Sequence, residues 1–334
     1  MPSVLEIPAV PSASVRGLAH TLRTGIPHLD RATWTPKLLD SIANAAESFY
    51  EPFDIPRPGK PPRHIDNPMG DLKMVQRAIY RTLLKETTKS LPLGMTGGIA
   101  GRSTADNAAP HLGQPLVGVL DIKDCFPHTR YTAIYSVWRE RYGFEQHLAT
   151  ILTKLTTRHG HLPQGAPTSS ALCNLALLPL YESIDVYAKL VELNFTLFVD
   201  DITISGKPAR VRDAVGPIVK RIVEHGYAVR SQKVDLMGGH QRQSVTGWVV
   251  NEKTNVPRMR IMEVRDEIIR LGREPARVTS ADLRSVSGKI NNIRRVAPEK
   301  ADGLEELAYA RLPKVSSLNI APRKAERQPC TCGL

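Results

Sequence analysis

Phe198-Val199-Asp200-Asp201 closes an apolar run and is followed at once by the β-branched Ile202-Thr203-Ile204. Adjacent carboxylates in such a setting repel each other and resist desolvation unless a cation sits between them. Taken alone, the pair also fits a turn or a helix cap. A second apolar strand with an acidic end stands upstream, Leu116-Val117-Gly118-Val119-Leu120-Asp121. If the fold brings Asp121 to Asp200 and Asp201, the three make a pocket for divalent metal. Nucleotidyl transfer uses such pockets, with two ions about 3.5–4 Å apart. Alternation along an extended chain turns Asp200 to the side of Phe198 and Thr196, and Asp201 to the side of Val199. Asp200 is therefore the expected partner of Asp121, with Asp201 assisting at the turn.

The chain has 334 residues, 41% of them hydrophobic, enough for a packed core and two or three subdomains. Its formal net charge of +12 points first to a nucleic-acid partner. No apolar run approaches the roughly 20 residues of a membrane span, so no membrane association is expected. Met1 to Gly17 lacks the pattern of a secretory signal. The cysteines, Cys125, Cys173, Cys330 and Cys332, form neither a disulfide framework nor a zinc pattern, and a reducing cytoplasm is the expected location.

Working outward, residues 51–68 are Pro-rich and read as an extended or hairpin region and not a helix. Leu72 to Lys85 reads as an amphipathic helix, and Gly94 to Gly101 as a glycine-rich loop without P-loop spacing. Helices are expected over Tyr131 to Tyr142, Gln146 to Thr157, Pro167 to Leu180 and Val211 to Gly226. Asn194 to Ser205 reads as two strands hinged at the double Asp, and Val245 to Val250 as a strand. From Pro257 the chain reads as helical and basic. Arg258 to the end holds 16 Lys/Arg against 10 Asp/Glu, a net of +6 that suits a nucleic-acid backbone. The order of elements predicts an α+β fold with helices on one face of an antiparallel sheet.

The ordered motifs resemble those of reverse transcriptases. Val119-Leu120-Asp121-Ile122-Lys123-Asp124-Cys125-Phe126-Pro127 is similar to their first catalytic motif, and Leu162-Pro163-Gln164-Gly165 to their Pro-Gln-Gly motif. Phe198-Val199-Asp200-Asp201 resembles their Tyr-X-Asp-Asp hairpin, and Gly226-Tyr227 with Lys233 the motif after it. Asn107-Ala108-Ala109-Pro110-His111 and Val245-Thr246-Gly247 resemble elements of the bacterial retron enzymes. The departures are Phe198 for Tyr, Leu197 for a frequent Arg, Ser170 for Pro and Cys125 for Phe.

The resemblance implies a right-hand polymerase fold with an antiparallel-sheet palm, fingers and a helical basic thumb. It divides the chain into an N-terminal helical extension (1–49), fingers (50–115), palm (116–255, with finger helices about 130–160) and thumb (256–334). It implies two Mg²⁺ ions held by Asp121, Asp200, Asp201 and the backbone carbonyl of Ile122. Phe126 would be the steric gate against a ribose 2′-OH, or otherwise a core Phe. Gln164 and Gly165 would lie beside the incoming dNTP, Arg63 and Lys73 would contact the triphosphate, and Lys233 would protonate pyrophosphate. Asn107, His111, Thr246, Gly247, Lys289, Arg294 and Arg295 are the expected RNA contacts. For Asn107 and His111 the alternatives are a helix cap and a surface histidine, and for the cations a solvated face. The expected function is synthesis of multicopy single-stranded DNA from a cognate structured noncoding RNA, primed by an internal guanosine 2′-OH. An effector protein and a part in anti-phage defence would accompany it. The alternatives are another bacterial reverse transcriptase lineage (abortive-infection or group II intron-like), an RNA-dependent RNA polymerase, which Phe126 argues against, and a non-catalytic RNA-binding scaffold.

Overall fold

The computed structural model describes residues 15–24, 35–57, 59–230, 234–252 and 256–312. Two helices come first, α1 (Val15–Thr24) and α2 (Pro36–Asn44). Thr35 caps α2 by accepting from Leu38 N–H at 3.2 Å, and Pro36 sits at the first helical position, where no N–H is needed. The Pro-rich segment forms the antiparallel hairpin β1 (Tyr50–Arg57) and β2 (Lys60–Pro68). Its prolines are tolerated because both strands are edges. Then come α3 (Gly70–Ile79), which runs through one π-helical stretch into α4 (Lys85–Lys89), and the short α5 (Thr104–Ala108).

The central sheet begins with β3 (Leu116–Asp121). A compact run of α6 (Cys125–His128), α7 (Tyr131–Ser136) and α8 (Gln146–Thr156) leads to the long α9 (Ser169–Leu190). The hairpin β4 (Asn194–Phe198) and β5 (Asp201–Gly206) follows, then α10 (Pro208–Glu224) and β6 (Asp235–Gly238). The sheet order is β4-β5-β3-β6, antiparallel throughout.

Pairing register sorts the sheet into two faces. One carries Phe195, Leu197, Ile202, Ile204, Leu116 and Leu120 and packs with α9 and α10 into the core. The other carries Thr196, Phe198, Asp201, Thr203, Ser205 and Asp121. The apolar face is the reason the register is fixed: a slip of one residue would put Ile202 and Ile204 outside and two aspartates in the core.

The expected strand over 245–250 is broken. Only Ser244–Val245 (β7) and Trp248–Val249 (β8) are extended, because Thr246 and Gly247 both take positive φ, +46° and +85°. Among the described residues the chain divides into two compact units. The first spans 1–246 and 250–252, the second 247–249 and 253–334. The second unit is helical: α11 (Arg258–Arg273), α12 (Ser280–Arg294) and α13 (Pro298–Arg311) pack on one another through Val264, Ile268, Val286, Ile290, Leu304 and Ala308. Among the described residues no helix is long and apolar enough to cross a membrane.

Candidate active site

β3 delivers Asp121 to the end of the sheet, directly opposite Asp201 at the start of β5. Asp200 sits in the two-residue turn between β4 and β5, and its carbonyl accepts from Ile122 N–H at 2.8 Å. Three acidic residues from distant stretches of chain are thus fixed by one ladder of backbone bonds. They line a single cavity of about 450 Å³, together with Arg57, Arg63, Asp124, Phe126, Gln164, Ser170 and Arg230.

The alternation expected across the double Asp does not hold. The tight turn at Val199 and Asp200 interrupts the strand, so Asp201, not Asp200, shares a face with Phe198, Thr196 and Asp121. Val199 pays for this turn with φ +57°, a conformation that a β-branched residue rarely adopts and that clusters at functional sites. The glycine-rich loop upstream braces the turn from behind. Leu197 N–H donates to Gly94 O at 2.8 Å and Thr96 N–H to Leu197 O at 2.9 Å. A Cβ on Gly97 would lie 2.5 Å from Val199 N, so only glycine lets the loop come this close.

The opposite wall is the β1–β2 hairpin and the Pro-Gln-Gly loop. Asp66 N–H donates to Gln164 O at 2.8 Å, and Gln164 N–H donates to Asp66 Oδ2 at 3.1 Å. With its amide oxygen turned to the guanidinium, Gln164 accepts from Arg63 Nε and Nη2, both at 2.8 Å. Arg158 pairs with the buried Asp66 and lies 5.0 Å over the Tyr50 ring, which fastens the hairpin at its base. Gly165, at φ +120°, passes so near the hairpin that a Cβ would meet Ile65 Cγ2 at 2.7 Å.

Arg230 reaches the carboxylates themselves. Arg230 Nη2 is 2.9 Å from Asp124 Oδ1, and its Nε is 3.5 Å from Asp121 Oδ1, an atom shielded from solvent. Its backbone N–H donates to Asp121 O at 3.0 Å. Phe126 is half-buried on the short α6 and faces the cavity. Behind it, Cys125 and Cys173 are buried free thiols with sulfurs 3.5 Å apart. The hydrogen bond to Cys173, then burial, drives the Cys125 pKa far up, so this thiol is no nucleophile.

Residues 55–256 match the family described as reverse transcriptase (RNA-dependent DNA polymerase). The chain belongs to the reverse transcriptase family. It is 31% identical over 262 residues to the Retron Ec86 reverse transcriptase of Escherichia coli, covering 76% of this chain and 80% of that protein. It is 30% identical over 296 residues to the Retron Mx65 reverse transcriptase of Myxococcus xanthus, covering 79% of this chain and 65% of that one. The enzyme is thus an RNA-directed DNA polymerase of the retron type. A solved apo telomerase from Candida tropicalis superposes with a TM-score of 0.50 at 10% identity, over 79% of this chain and 58% of that one, a likeness of fold alone. The fold is that of an α+β polymerase with antiparallel sheets.

Reverse transcriptases generally use divalent metal ions, and the donor set fits one. Mg²⁺ takes few protein carboxylates and completes its shell with water and phosphate. Asp121, Asp200 and Asp201 line the cavity, and a guanidinium already places positive charge against Asp121. Among the described residues, no three acidic, His or Cys side chains are gathered closely enough to hold an ion by themselves.

Several expected contacts of this reverse transcriptase lie elsewhere. Lys73 is not among the residues lining the cavity; it is half-buried and donates to Asn67 Oδ1 at 2.9 Å. Lys233 lies outside the described residues, as do Cys330 and Cys332. Asn107 and His111, expected on RNA, are fully buried. Asn107 Oδ1 accepts from Thr96 Oγ1 at 2.8 Å. His111 Nδ1 is 2.7 Å from Ser205 Oγ and its Nε2 2.8 Å from Thr196 Oγ1. Burial lowers the His111 pKa to about 4, so its neutral ring staples β4 to β5 instead of meeting a phosphate. Thr246 is half-buried and donates to Thr104 O at 3.0 Å, while Gly247 is exposed.

In the second unit, Lys289 pairs with Glu267 at 2.6 Å, and Arg294 pairs with Glu305 and with Asp302, the latter at 3.2 Å. Both cations link helices of that unit to one another. Arg295 is exposed. The residues that sequence reasoning passed over are Arg57, Asp124 and Arg230. Asp124 stood inside the Val119–Pro127 motif, whereas Arg230 carried no signal, since only backbone pairing of 228–230 with 121–123 brings it to the site.

Proposed function

We propose that this reverse transcriptase copies a cognate structured noncoding RNA into multicopy single-stranded DNA, primed by the 2′-OH of an internal guanosine. The observation that carries the chemistry is Asp121 opposite Asp201, with Asp200 in the adjoining turn, in a cavity large enough for a nucleotide. In this reading the primer hydroxyl oxygen bonds to the α-phosphorus of a dNTP, the bond to the leaving pyrophosphate breaks, and the hydroxyl proton passes to solvent water. Asp121, Asp200, Asp201 and the Ile122 carbonyl would hold Mg²⁺, and the ion would supply positive charge for the hydroxyl and the leaving group.

The chain's other residues position the substrate. Arg63, oriented by Gln164, and Arg57 face the triphosphate. Phe126 crowds the 2′ position of the sugar, which favours dNTPs over NTPs. Residues 50–115 act as fingers, 116–255 as palm and 256–334 as thumb. Exposed cations of the helical unit, Arg295 among them, meet the RNA backbone. The cytoplasm, an effector protein and anti-phage defence complete the reading, on the strength of the kinship with retron enzymes.

The test is incubation of the purified enzyme with dNTPs, Mg²⁺ and the RNA encoded beside its gene, followed by treatment with a 2′–5′ debranching enzyme. A product that shifts on debranching supports 2′-OH priming. A product that does not shift contradicts it.

A further inference from the structure

The geometry points to Arg230 as a positioning residue that occupies the metal's place: it holds Asp121 in readiness and must be displaced when the divalent ion binds. The inference rests on the reading of Asp121, Asp200 and Asp201 as metal holders.

Asp121 and Asp201 are forced into opposition by the pairing of β3 and β5, and Asp200 adjoins them. Asp121 is buried. Like charges held this close repel one another, and the repulsion is relieved when a positive charge sits beside them. Arg230 provides that charge, 3.5 Å from the shielded Oδ1 of Asp121. Arginine suits the role because it stays protonated at any working pH, so only exchange with another cation releases it.

The arrangement is built to exchange and not to lock. The backbone of the segment is fixed, with Lys123 N–H donating to Ala228 O at 2.7 Å and Arg230 N–H to Asp121 O at 3.0 Å. The side chain, by contrast, is two-fifths exposed. Its closer contact is with Asp124 at 2.9 Å, whose carboxylate is about half exposed. Asp124 takes φ +45°, a left-handed conformation that Asp tolerates, at the start of α6. Asp124 can therefore keep the guanidinium at the cavity rim once Asp121 lets it go. A ligand whose site is occupied by an internal competitor binds with an affinity reduced by the fraction of open sites. Arg230 thus weakens metal binding in the absence of nucleotide while holding the Asp121 carboxylate in place.

Mn²⁺ binding to the full-length, nucleotide-free protein, followed by electron paramagnetic resonance, tests this without any measurement of synthesis. Wild type, Asp121→Asn, Arg230→Met, Arg230→Gln and Arg230→Lys are compared. The two uncharged Arg230 variants are expected to bind Mn²⁺ about threefold to tenfold more tightly than wild type. Arg230→Lys, which keeps the charge, should stay near wild type. A merely structural arginine would leave the affinity unchanged or weaken it. If Asp121→Asn loses Mn²⁺ while both uncharged variants bind no more tightly than wild type, the displacement idea is overturned and the metal-site reading stands. If Asp121→Asn binds Mn²⁺ as wild type does, the metal-site reading fails and takes this inference with it.

Discussion

Asp121 and Asp201 face each other across β3 and β5, and the next N–H along, that of Ile122, donates to the Asp200 carbonyl at 2.8 Å. The positions of all three acidic residues therefore follow from backbone pairing, and their own side chains take no part in setting it. Neutral substitutions there remove charge without disturbing the ladder that holds the site.

Phe126 lies half-buried at the cavity wall. Phe126→Ala should raise the ratio of ribonucleotide to deoxyribonucleotide incorporation by about tenfold to a hundredfold, the scale of a lost pocket contact. Competition between labelled GTP and dGTP in primer extension measures the ratio. No change would assign the ring to packing alone.

His111 sets a pH dependence of stability. Its folded pKa, about 4, lies below its ordinary 6.5, so between these values the unfolded chain binds a proton that the folded chain does not. Stability from this group is full above pH 6.5, falls as the pH drops towards 4, and levels off below. The whole effect is about 3 kcal/mol. Urea denaturation at pH 7 and pH 4.5 should show a larger loss for wild type than for His111→Gln. Equal losses would contradict the buried neutral imidazole.

Gly165→Ala should be costly on two counts. The backbone sits at φ +120°, and the new methyl would lie 2.7 Å from Ile65 Cγ2. About 1–3 kcal/mol of strain is expected. The loop carrying Gln164 would shift from Arg63, so the KM for dNTP should rise more than kcat falls. Steady-state kinetics with a fixed template would reveal the split; unaltered KM would mean that the loop does not meet the nucleotide.

The carboxylates were legible because an apolar run seldom ends in Asp without a chemical reason, and two such runs in the sequence did. The facing of the two adjacent aspartates was misjudged since alternation presumes an unbroken strand, and the turn at Val199 breaks it. Asn107 and His111 looked like RNA contacts because polar residues in a motif suggest recognition. Their polar atoms instead satisfy the hydroxyl-rich face of the sheet, which a linear reading cannot see. Lys289 and Arg294 counted as cationic surface, yet each is matched by an acid on a neighbouring helix. Arg230 was invisible for the converse reason, as an ordinary arginine made special by the strand beside it.

The most direct measurement is RNA-templated primer extension with dNTPs and Mg²⁺, comparing wild type with Asp121→Asn, alongside circular dichroism and RNA binding for both. Asp121→Asn should lose synthesis by at least about a hundredfold, while fold and RNA affinity are kept. Extension within about tenfold of wild type would contradict the central claim that these acids carry the chemistry.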